Sequence, residues 1–180
     1  MTPPRRARLF FALWPGAAAR RALADAAGQV TLDDGRSVPP ANLHVTLAFV
    51  GVVDAGQQAA CVRAAGRVDA AGFALDFDRA GHFGRARVAW LGPREQPAAL
   101  TALVDALRAA LAGEDVPFDP KPFRCHLTIA RDVARLALPQ RVPVVHWDVT
   151  EFALVESVTA AAGPRYEVRA RWLLRTGFRG

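Results

Sequence analysis

The first half of the chain has the hydrophobic pattern of strand, helix, loop, strand and helix. The apolar run RLFFALW at residues 8–14 predicts a strand closed by Pro15 and Gly16. Alanine-rich residues 17–30 predict a helix that ends near Gly28. After the loop TLDDGRSVPPAN, the β-branched and aromatic run NLHVTLAFVG at residues 42–51 predicts a strand. Asp54 then stands where it can cap a helix that continues to about residue 68.

The second half begins with two predicted strands and a helix. In FALDFDRAG at residues 73–81, Phe73, Leu75 and Phe77 occupy every second position and so share one face, which predicts one half-buried strand. RARVAWLGP at residues 85–93 predicts another. Leucine and valine then recur at helical spacing, which predicts a core-packed helix over residues 95–112. The loop GEDVPFDPKPF leads to the strand CHLTIAR, and VPVVHWDV, TEFALVES and RYEVRARWLL predict three more strands.

The two halves repeat the same order of elements. RLFFALWPG, a helix, a proline-containing loop and NLHVTLAFVG correspond to RVAWLGP, a helix, a proline-containing loop and FRCHLTIARD. Such a long internal repeat indicates two similar lobes rather than a solenoid. We therefore predict an α+β fold of one domain over residues 1–180. In this prediction two pseudo-symmetric lobes, each a mainly antiparallel sheet with outer helices, surround a central cleft.

Length and apolar content are consistent with one compact domain. The chain has 180 residues, of which 52% are hydrophobic, enough to bury a sizeable core. No apolar run approaches the ~18 residues of a membrane-spanning helix. The apolar stretch in MTPPRRARLFFALWPG is too short for a signal-peptide core. We expect a monomeric, cytoplasmic protein that does not associate with membranes.

The charge of the chain allows two interpretations. A formal net charge of +6 favours polyanionic partners such as nucleic acids or phosphorylated small molecules. However, Lys121 is the only lysine, and the abundance of arginine and alanine is typical of a compositional bias. In the last predicted strand, Arg169, Arg171 and Arg175 form a basic stripe that is either a solvated face or a groove that follows RNA. The charge alone does not decide between RNA contact and a solvated surface.

The motif His-x-Thr occurs twice, as His44-x-Thr46 and His126-x-Thr128. Residues i and i+2 of a strand point to the same face, so each histidine shares a face with its threonine. The intervening and following apolar residues fall on the opposite face, where they can enter a core. The polar pairs are therefore predicted to line an opening between the lobes.

Two histidines on facing strands suit phosphodiester chemistry without a metal. One imidazole can take a proton from the nucleophile while the other protonates the leaving oxygen on the far side of phosphorus. A threonine hydroxyl beside each imidazole can donate to a non-bridging phosphate oxygen as negative charge develops there. The chain has no H-E-x-x-H or C-x-x-C motif, and Cys61 and Cys125 lack metal-type spacing, so we expect reduced cysteines and no metal or other cofactor.

With these motifs the chain resembles the 2H phosphoesterase superfamily, specifically the bacterial RNA 2′,3′-cyclic phosphodiesterases also called 2′-5′ RNA ligases. The resemblance covers nearly the whole chain. It is carried by RLFFAL, NLHVTLAFVG, RVAWLG, HLTIARD, VTEFALVES and RYEVRARWLL. A paired motif at this separation is a specific signal, whereas a single His-x-Thr is common by chance.

The resemblance implies roles for five residues. His44 and His126 would be the catalytic pair, while Thr46, Thr128 and Arg131 would bind phosphate. Strand alternation places Arg131 on the face opposite His126, unless the strand ends or bulges near Ala130. Cys125 stands where such proteins usually have proline; because it should face the core, we expect this change to alter entry into the strand rather than the chemistry.

The implied activity is hydrolysis of RNA 2′,3′-cyclic phosphate ends to 2′-phosphates. We assign His126 as base and His44 as acid, and the pseudo-symmetry of the motifs leaves the reverse assignment open. Its partners would be RNA with such ends or small cyclic nucleotides. One alternative is reversible, ATP-independent 2′-5′ ligation, since no GxxxxGK[ST] loop is present. Others are a non-catalytic protein that binds RNA ends or nucleotides, and a related phosphoesterase acting on ADP-ribose cyclic phosphate or 2′-5′ oligoadenylate.

Four further residues have simpler interpretations. His82 lies between glycines, so we expect a solvated loop histidine, the alternative being contact with substrate. His146 is predicted to pack on a strand face beside Trp147. A thiol nucleophile at Cys125 is disfavoured because neighbouring strand residues point to opposite faces. Phe11 is a candidate for stacking on a base.

Overall fold

The described part of the chain contains ten strands and three α-helices. The structure, a computed structural model, describes residues 6–138, 140–160 and 163–176. The elements are β1 (Ala7–Leu13), α1 (Ala17–Gly28), β2 (Arg36–Ser37), β3 (Val45–Val53), α2 (Ala55–Gly66), β4 (Phe73–Phe77), β5 (Arg79–Phe83), β6 (Val88–Gly92), α3 (Ala98–Ala112), β7 (Leu127–Arg131), β8 (Val145–Val149), β9 (Glu151–Ala160) and β10 (Gly163–Leu173).

Eight strands form one sheet in the order β10-β9-β1-β3-β7-β6-β5, with β2 beside β7. Strands β4 and β8 form a separate two-stranded sheet. Every pairing between these strands is antiparallel. The predicted α+β class with mainly antiparallel strands is confirmed.

The predicted repeat is visible in the order of the elements. Strand β1, helix α1 and strand β3 are followed later by strand β6, helix α3 and strand β7, and the strands of each unit pair with each other. The two units meet in the middle of the sheet, where β3 and β7 share the registered pair Val45 and Leu127. The finer division into two lobes around a cleft stays a prediction.

Local sequence signals account for the helix boundaries. Asp54 forms a capping box with Gln57 at the start of α2, as its position predicts. Helix α1 ends at Gly28 as expected. Helix α3 buries one apolar stripe, each member of which is at most 1% exposed: Leu100, Leu103, Val104, Leu107 and Leu111. Tertiary burial of this stripe, rather than helix propensity alone, stabilises α3.

The prediction of a single strand over residues 73–81 was wrong. The chain changes sheets at Asp78, so that β4 pairs with β8 and β5 pairs with β6. The Asp78 carboxylate accepts a hydrogen bond of 2.8 Å from the backbone N–H of Arg94, which fixes the turn between the two strands. Alternation of apolar residues predicts extended backbone but does not specify its partner, so the change of sheet left no signal in the pattern. The preceding loop also contains β2 and a 3₁₀ turn over Pro40–Asn42.

The buried apolar residues form a large core and a smaller cluster. The smaller cluster contains Phe10, Ala12, Trp14, Ala153 and Val155, against which Tyr166 and Val168 pack. A register shift between Val168 and Ala170 divides the apolar residues of β10 between the two, because Ala170 and Trp172 pack against the large core instead. A bulge of this kind reverses the alternation of faces.

The two cysteines are not joined by a disulfide. Cys61 and Cys125 are both free and buried, and Cys125 faces the core as predicted.

The arginines of the predicted basic stripe are paired with carboxylates. Arg169 pairs with Glu156 and Glu167, Arg171 with Glu151, and Arg175, which follows β10, with Asp69. These ion pairs favour a solvated face over an RNA groove. Among the described residues, no helix is long and apolar enough to cross a membrane.

Candidate active site

The imidazole of His44 lies at the entry to β3 and is oriented by backbone. Its Nδ1 is 2.6 Å from the carbonyl oxygen of Asn42. Because a carbonyl can only accept, Nδ1 carries the hydrogen and Nε2 of the neutral ring is left as an acceptor. The hydroxyl of Thr46 lies 3.2 Å from this Nε2. His44 and Thr46 therefore share a face, as the strand period predicts.

His126 has the same backbone support at the entry to β7. Its Nδ1 is 2.7 Å from the carbonyl oxygen of Arg124, again the residue two positions before the histidine. The hydrogen bond fixes the same tautomer as in His44, with Nε2 available for proton transfer. The repeat in the sequence thus extends to the way in which each imidazole is held.

Pairing between β3 and β7 relates the two motifs to each other. Val45 pairs with Leu127 in an antiparallel arrangement. Counting outward from this pair places His44 opposite Thr128 and His126 opposite Thr46, because residue numbers rise on one antiparallel strand as they fall on the other. Each histidine therefore stands beside the threonine of its own motif and across from the threonine of the other.

Aromatic rings surround the two imidazoles unequally. Three rings contact His44: Trp14 stacks on it with centroids 5.5 Å apart, and Phe10 and Tyr166 lie at 5.0 and 5.3 Å. Only Phe83, edge-on at 5.0 Å, contacts His126 among the described aromatic residues. The sequence interpretation missed these rings. The alternation of Phe10, Ala12 and Trp14 in β1 was the available signal, since it places them on the face opposite Phe11.

Burial makes both imidazoles poor bases in the ligand-free protein. It lowers the pKa of His44 to about 4; the hydrogen bond to Asn42 opposes this effect, while the charges of Arg131 and His126 add to it. Burial also lowers the pKa of His126. The hydrogen bond to the Arg124 carbonyl opposes this effect, while the charges of Arg124 and Arg131 add to it. Loss of hydration disfavours the charged imidazolium. Both rings are neutral at pH 7 before an anion binds.

A bulge in β7 decides the orientation of Arg131. Adjacent residues Ala89 and Trp90 of β6 pair with Ala130 and Thr128, so Ile129 is the extra residue on β7. The extra residue reverses the alternation and turns Arg131 toward the face of Thr128. Of the two arrangements considered from sequence, the structure has the bulged one. Within the described part of the chain, no carboxylate forms an ion pair with the Arg131 guanidinium.

A cavity of about 310 Å³ opens beside His44. Of the five predicted site residues, three line it: His44, Thr128 and Arg131. The other two lie next to the lining, since Thr46 is hydrogen-bonded to His44 and His126 is opposite Thr46. Asn42 also lines the cavity, and its side-chain amide donates to the Pro164 carbonyl oxygen at 3.1 Å. The lining residues are Arg36, Ser37, Val38, Pro39, Asn42, His44, Thr128, Arg131, Gly163, Pro164 and Tyr166.

Three predictions about other residues were wrong. His82 lies in β5 rather than in a solvated loop, and its Nε2 is 2.9 Å from the Val133 carbonyl oxygen. His146 does not pack; its side chain is 57% exposed and paired with Asp76 and Asp148. Phe11 is fully buried in the large core, which excludes base stacking. Among the described residues no cluster of three potential metal ligands occurs.

Comparison with known proteins gives a consistent result. Residues 13–160 match the 2′-5′ RNA ligase superfamily. An RNA 2′,3′-cyclic phosphodiesterase of Escherichia coli strain K12 is 37% identical over 97% of this chain and 99% of its own length. One of Thermus thermophilus is 35% identical over 93% of this chain and 90% of its own. The crystal structure of E. coli LigT complexed with 3′-AMP matches with a TM-score of 0.86 and 37% identity, covering 94% of this chain and 99% of LigT.

Proposed function

The chain belongs to the 2′-5′ RNA ligase superfamily, and on this premise we propose that it hydrolyses RNA 2′,3′-cyclic phosphate ends to 2′-phosphates without a metal. The observation that carries the proposal is the reciprocal arrangement of the two His-x-Thr motifs about the Val45–Leu127 pair. Two imidazoles with the same tautomer are thereby available on neighbouring strands. Relatives from E. coli and T. thermophilus are named as enzymes of this activity.

The proposed reaction is an in-line displacement at phosphorus. The Nε2 of His126 takes a proton from water, whose oxygen forms the new bond to phosphorus. The bond between phosphorus and O3′ breaks on the opposite side, and His44 gives its Nε2 proton to O3′. The phosphate remains on O2′. General acid and base catalysis of this kind contributes roughly 10²- to 10⁴-fold for each transfer.

The threonines and Arg131 stabilise the developing charge. Thr128 and Arg131 line the cavity together with His44, so a phosphate near His44 can accept hydrogen bonds from both. Thr46 supports His44 Nε2 in the absence of substrate and can turn its hydroxyl toward phosphate when His44 is protonated. Donors that are already oriented need little reorganisation as charge builds on the non-bridging oxygens.

The low pKa of His44 is compatible with its role as acid. A bound phosphate anion within a few ångströms favours the imidazolium and raises the pKa from its ligand-free value. An imidazolium whose intrinsic pKa is depressed by burial is a stronger acid toward the departing O3′ than an exposed one. The greater burial of His44 supports its assignment as acid and that of His126 as base.

The reverse reaction is the second candidate. The same acid and base, run backwards, would join a 2′,3′-cyclic end to a 5′-hydroxyl and form a 2′-5′ linkage without ATP. The name of the matching superfamily favours this activity. In either direction we propose that one domain acts as a monomer, because a single chain contributes both motifs to one sheet.

Product analysis in a chelator tests the proposal. An oligoribonucleotide ending in a 2′,3′-cyclic phosphate is incubated with the protein and EDTA, and the 2′- and 3′-phosphate products are separated. We expect the 2′-phosphate alone. A second reaction supplies a 5′-hydroxyl strand and is examined for a joined product. Binding of the cyclic end without any product would instead support the non-catalytic RNA-end or nucleotide-binding alternative.

A further inference from the structure

Two arginines stand directly opposite each other at the cavity. Arg36 on β2 pairs in register with Arg131 on β7, and both line the cavity. Like charges at directly opposed positions of a sheet destabilise the pairing. Two guanidinium groups at one opening concentrate positive charge there, which favours the binding of an anion.

The Arg36 side chain is held by a carboxylate that an anion can replace. Its Nε and one terminal nitrogen donate to a single oxygen of Asp132, at 2.9 and 2.7 Å. The side chains are 79% and 57% exposed, and an ion pair so open to water contributes little to stability. The backbone of Asp132 is fixed independently, since its carbonyl oxygen accepts from Arg87 at 3.0 Å. Asp132 can therefore release Arg36 without moving its own backbone.

The size of the cavity limits what enters it. Its volume of about 310 Å³ is near the lower end of small-ligand pockets, which span roughly 300–1,000 Å³. Only the terminal part of a polynucleotide fits, so the preceding nucleotides must cross the rim. At this rim the Arg36 side chain is 79% exposed, more than its partner Asp132 at 57%.

From this geometry we infer that Arg36 binds the phosphodiester that precedes the terminal cyclic phosphate, exchanging Asp132 for it. The inference rests on the proposed function and narrows its substrate class. Oligoribonucleotides with a 2′,3′-cyclic end are then better substrates than 2′,3′-cyclic mononucleotides, which lack the preceding phosphodiester. Arg131 remains the ligand of the reacting phosphate.

Arg36→Gln tests the inference when two substrates are compared. The ratio of kcat/KM for a cyclic-ended tetranucleotide to that for the cyclic mononucleotide is expected to fall roughly tenfold, the scale of one charge-assisted hydrogen bond. The slope of log affinity against log salt for the tetranucleotide is expected to fall by about 0.7, the value of one contact to a single strand. Arg175→Gln is the matched control, because Arg175 is also an exposed arginine paired with an exposed aspartate, Asp69.

Asp132→Asn separates phosphate binding from a structural role of the ion pair. Removing the competing carboxylate is expected to tighten tetranucleotide binding, whereas Arg36→Gln weakens it; Asp69→Asn controls for the change in net charge. Asparagine tolerates the left-handed backbone of Asp132, whose φ is 61°. Three results would overturn the inference. Arg36→Gln and Asp132→Asn could both weaken tetranucleotide binding, or Arg36→Gln could lower kcat/KM equally for the tetranucleotide and the mononucleotide. The third is an effect of Arg175→Gln as large as that of Arg36→Gln. Absence of turnover by the wild type on both substrates would overturn the proposed function itself.

Discussion

Val45 pairs with Leu127 in the middle of the eight-stranded sheet, and this pair sets the two His-x-Thr motifs beside each other in opposite directions. Each histidine directly precedes one member of the pair, at the entry to its strand. Its Nδ1 is satisfied by the carbonyl two residues earlier. Backbone geometry, rather than contacts between distant side chains, therefore fixes the tautomer of both imidazoles.

Replacing Arg131 is expected to affect both binding and rate. Arg131→Gln removes the cavity cation nearest the proposed phosphate, so kcat/KM should fall roughly 10- to 100-fold. Arg131→Lys keeps the charge but loses the planar pair of donors and should recover only part of the activity. Steady-state kinetics on the cyclic mononucleotide measure both effects. Wild-type kcat/KM for Arg131→Gln would show that the bulge at Ile129 has no role in phosphate binding.

Aromatic contacts predict separate control of the two histidine pKa values. Tyr166 contacts His44 and Phe83 contacts His126. Tyr166→Ala should hydrate His44 and raise its pKa from about 4 toward the ordinary value, leaving His126 little changed. Phe83→Ala should raise the pKa of His126 instead. NMR titration of the imidazole signals distinguishes the variants, and equal movement of both histidines in either variant would contradict local desolvation as the cause.

The pH dependence of catalysis should differ between free and bound enzyme. The kcat/KM profile reports the free enzyme, in which both histidines have lowered pKa values. Its alkaline limb is therefore expected below neutrality. A bound phosphate anion raises these pKa values, so the alkaline limb of kcat should lie at higher pH. Both profiles should be bell-shaped when chemistry is rate-limiting; a flat profile from about pH 5 to 9 would contradict a two-histidine mechanism.

Stability should fall on acidification because His44 is protonated more readily in the unfolded chain. The pKa of His44 is about 4 in the folded protein and 6.5 in the unfolded chain. Its contribution to the free energy of unfolding is therefore complete above pH 6.5 and is lost as the pH falls toward 4. From pH 7 to pH 5 the loss from His44 is about 2 kcal/mol. Urea unfolding of wild type and His44→Gln at both pH values measures it. An equal loss in both proteins would show that His44 is not responsible.

The sequence predicted the internal repeat, the paired His-x-Thr motifs and the mainly antiparallel α+β class, because each depends on local periodicity. It could not specify that Arg131 faces the cavity, because that depends on one extra residue, Ile129, in the pairing of β7 with β6. It likewise missed Arg36, which lay in a predicted loop and gains its position only by pairing with Arg131. For His82 and His146, the surroundings were set by Val133 and Asp76, which are distant in the sequence. Long-range pairing supplied the information that periodicity lacked.

The central claim is that His44 and His126 act as one acid and base pair. The most direct measurement is single-turnover hydrolysis of a cyclic-ended oligoribonucleotide in EDTA by wild type, His44→Ala, His126→Ala and the double variant, with His146→Ala as the matched histidine control. Each single variant should lose roughly 10²- to 10⁴-fold, and the double variant about as much as either, since the two groups serve one step. A single variant that retains the wild-type rate would contradict the paired mechanism.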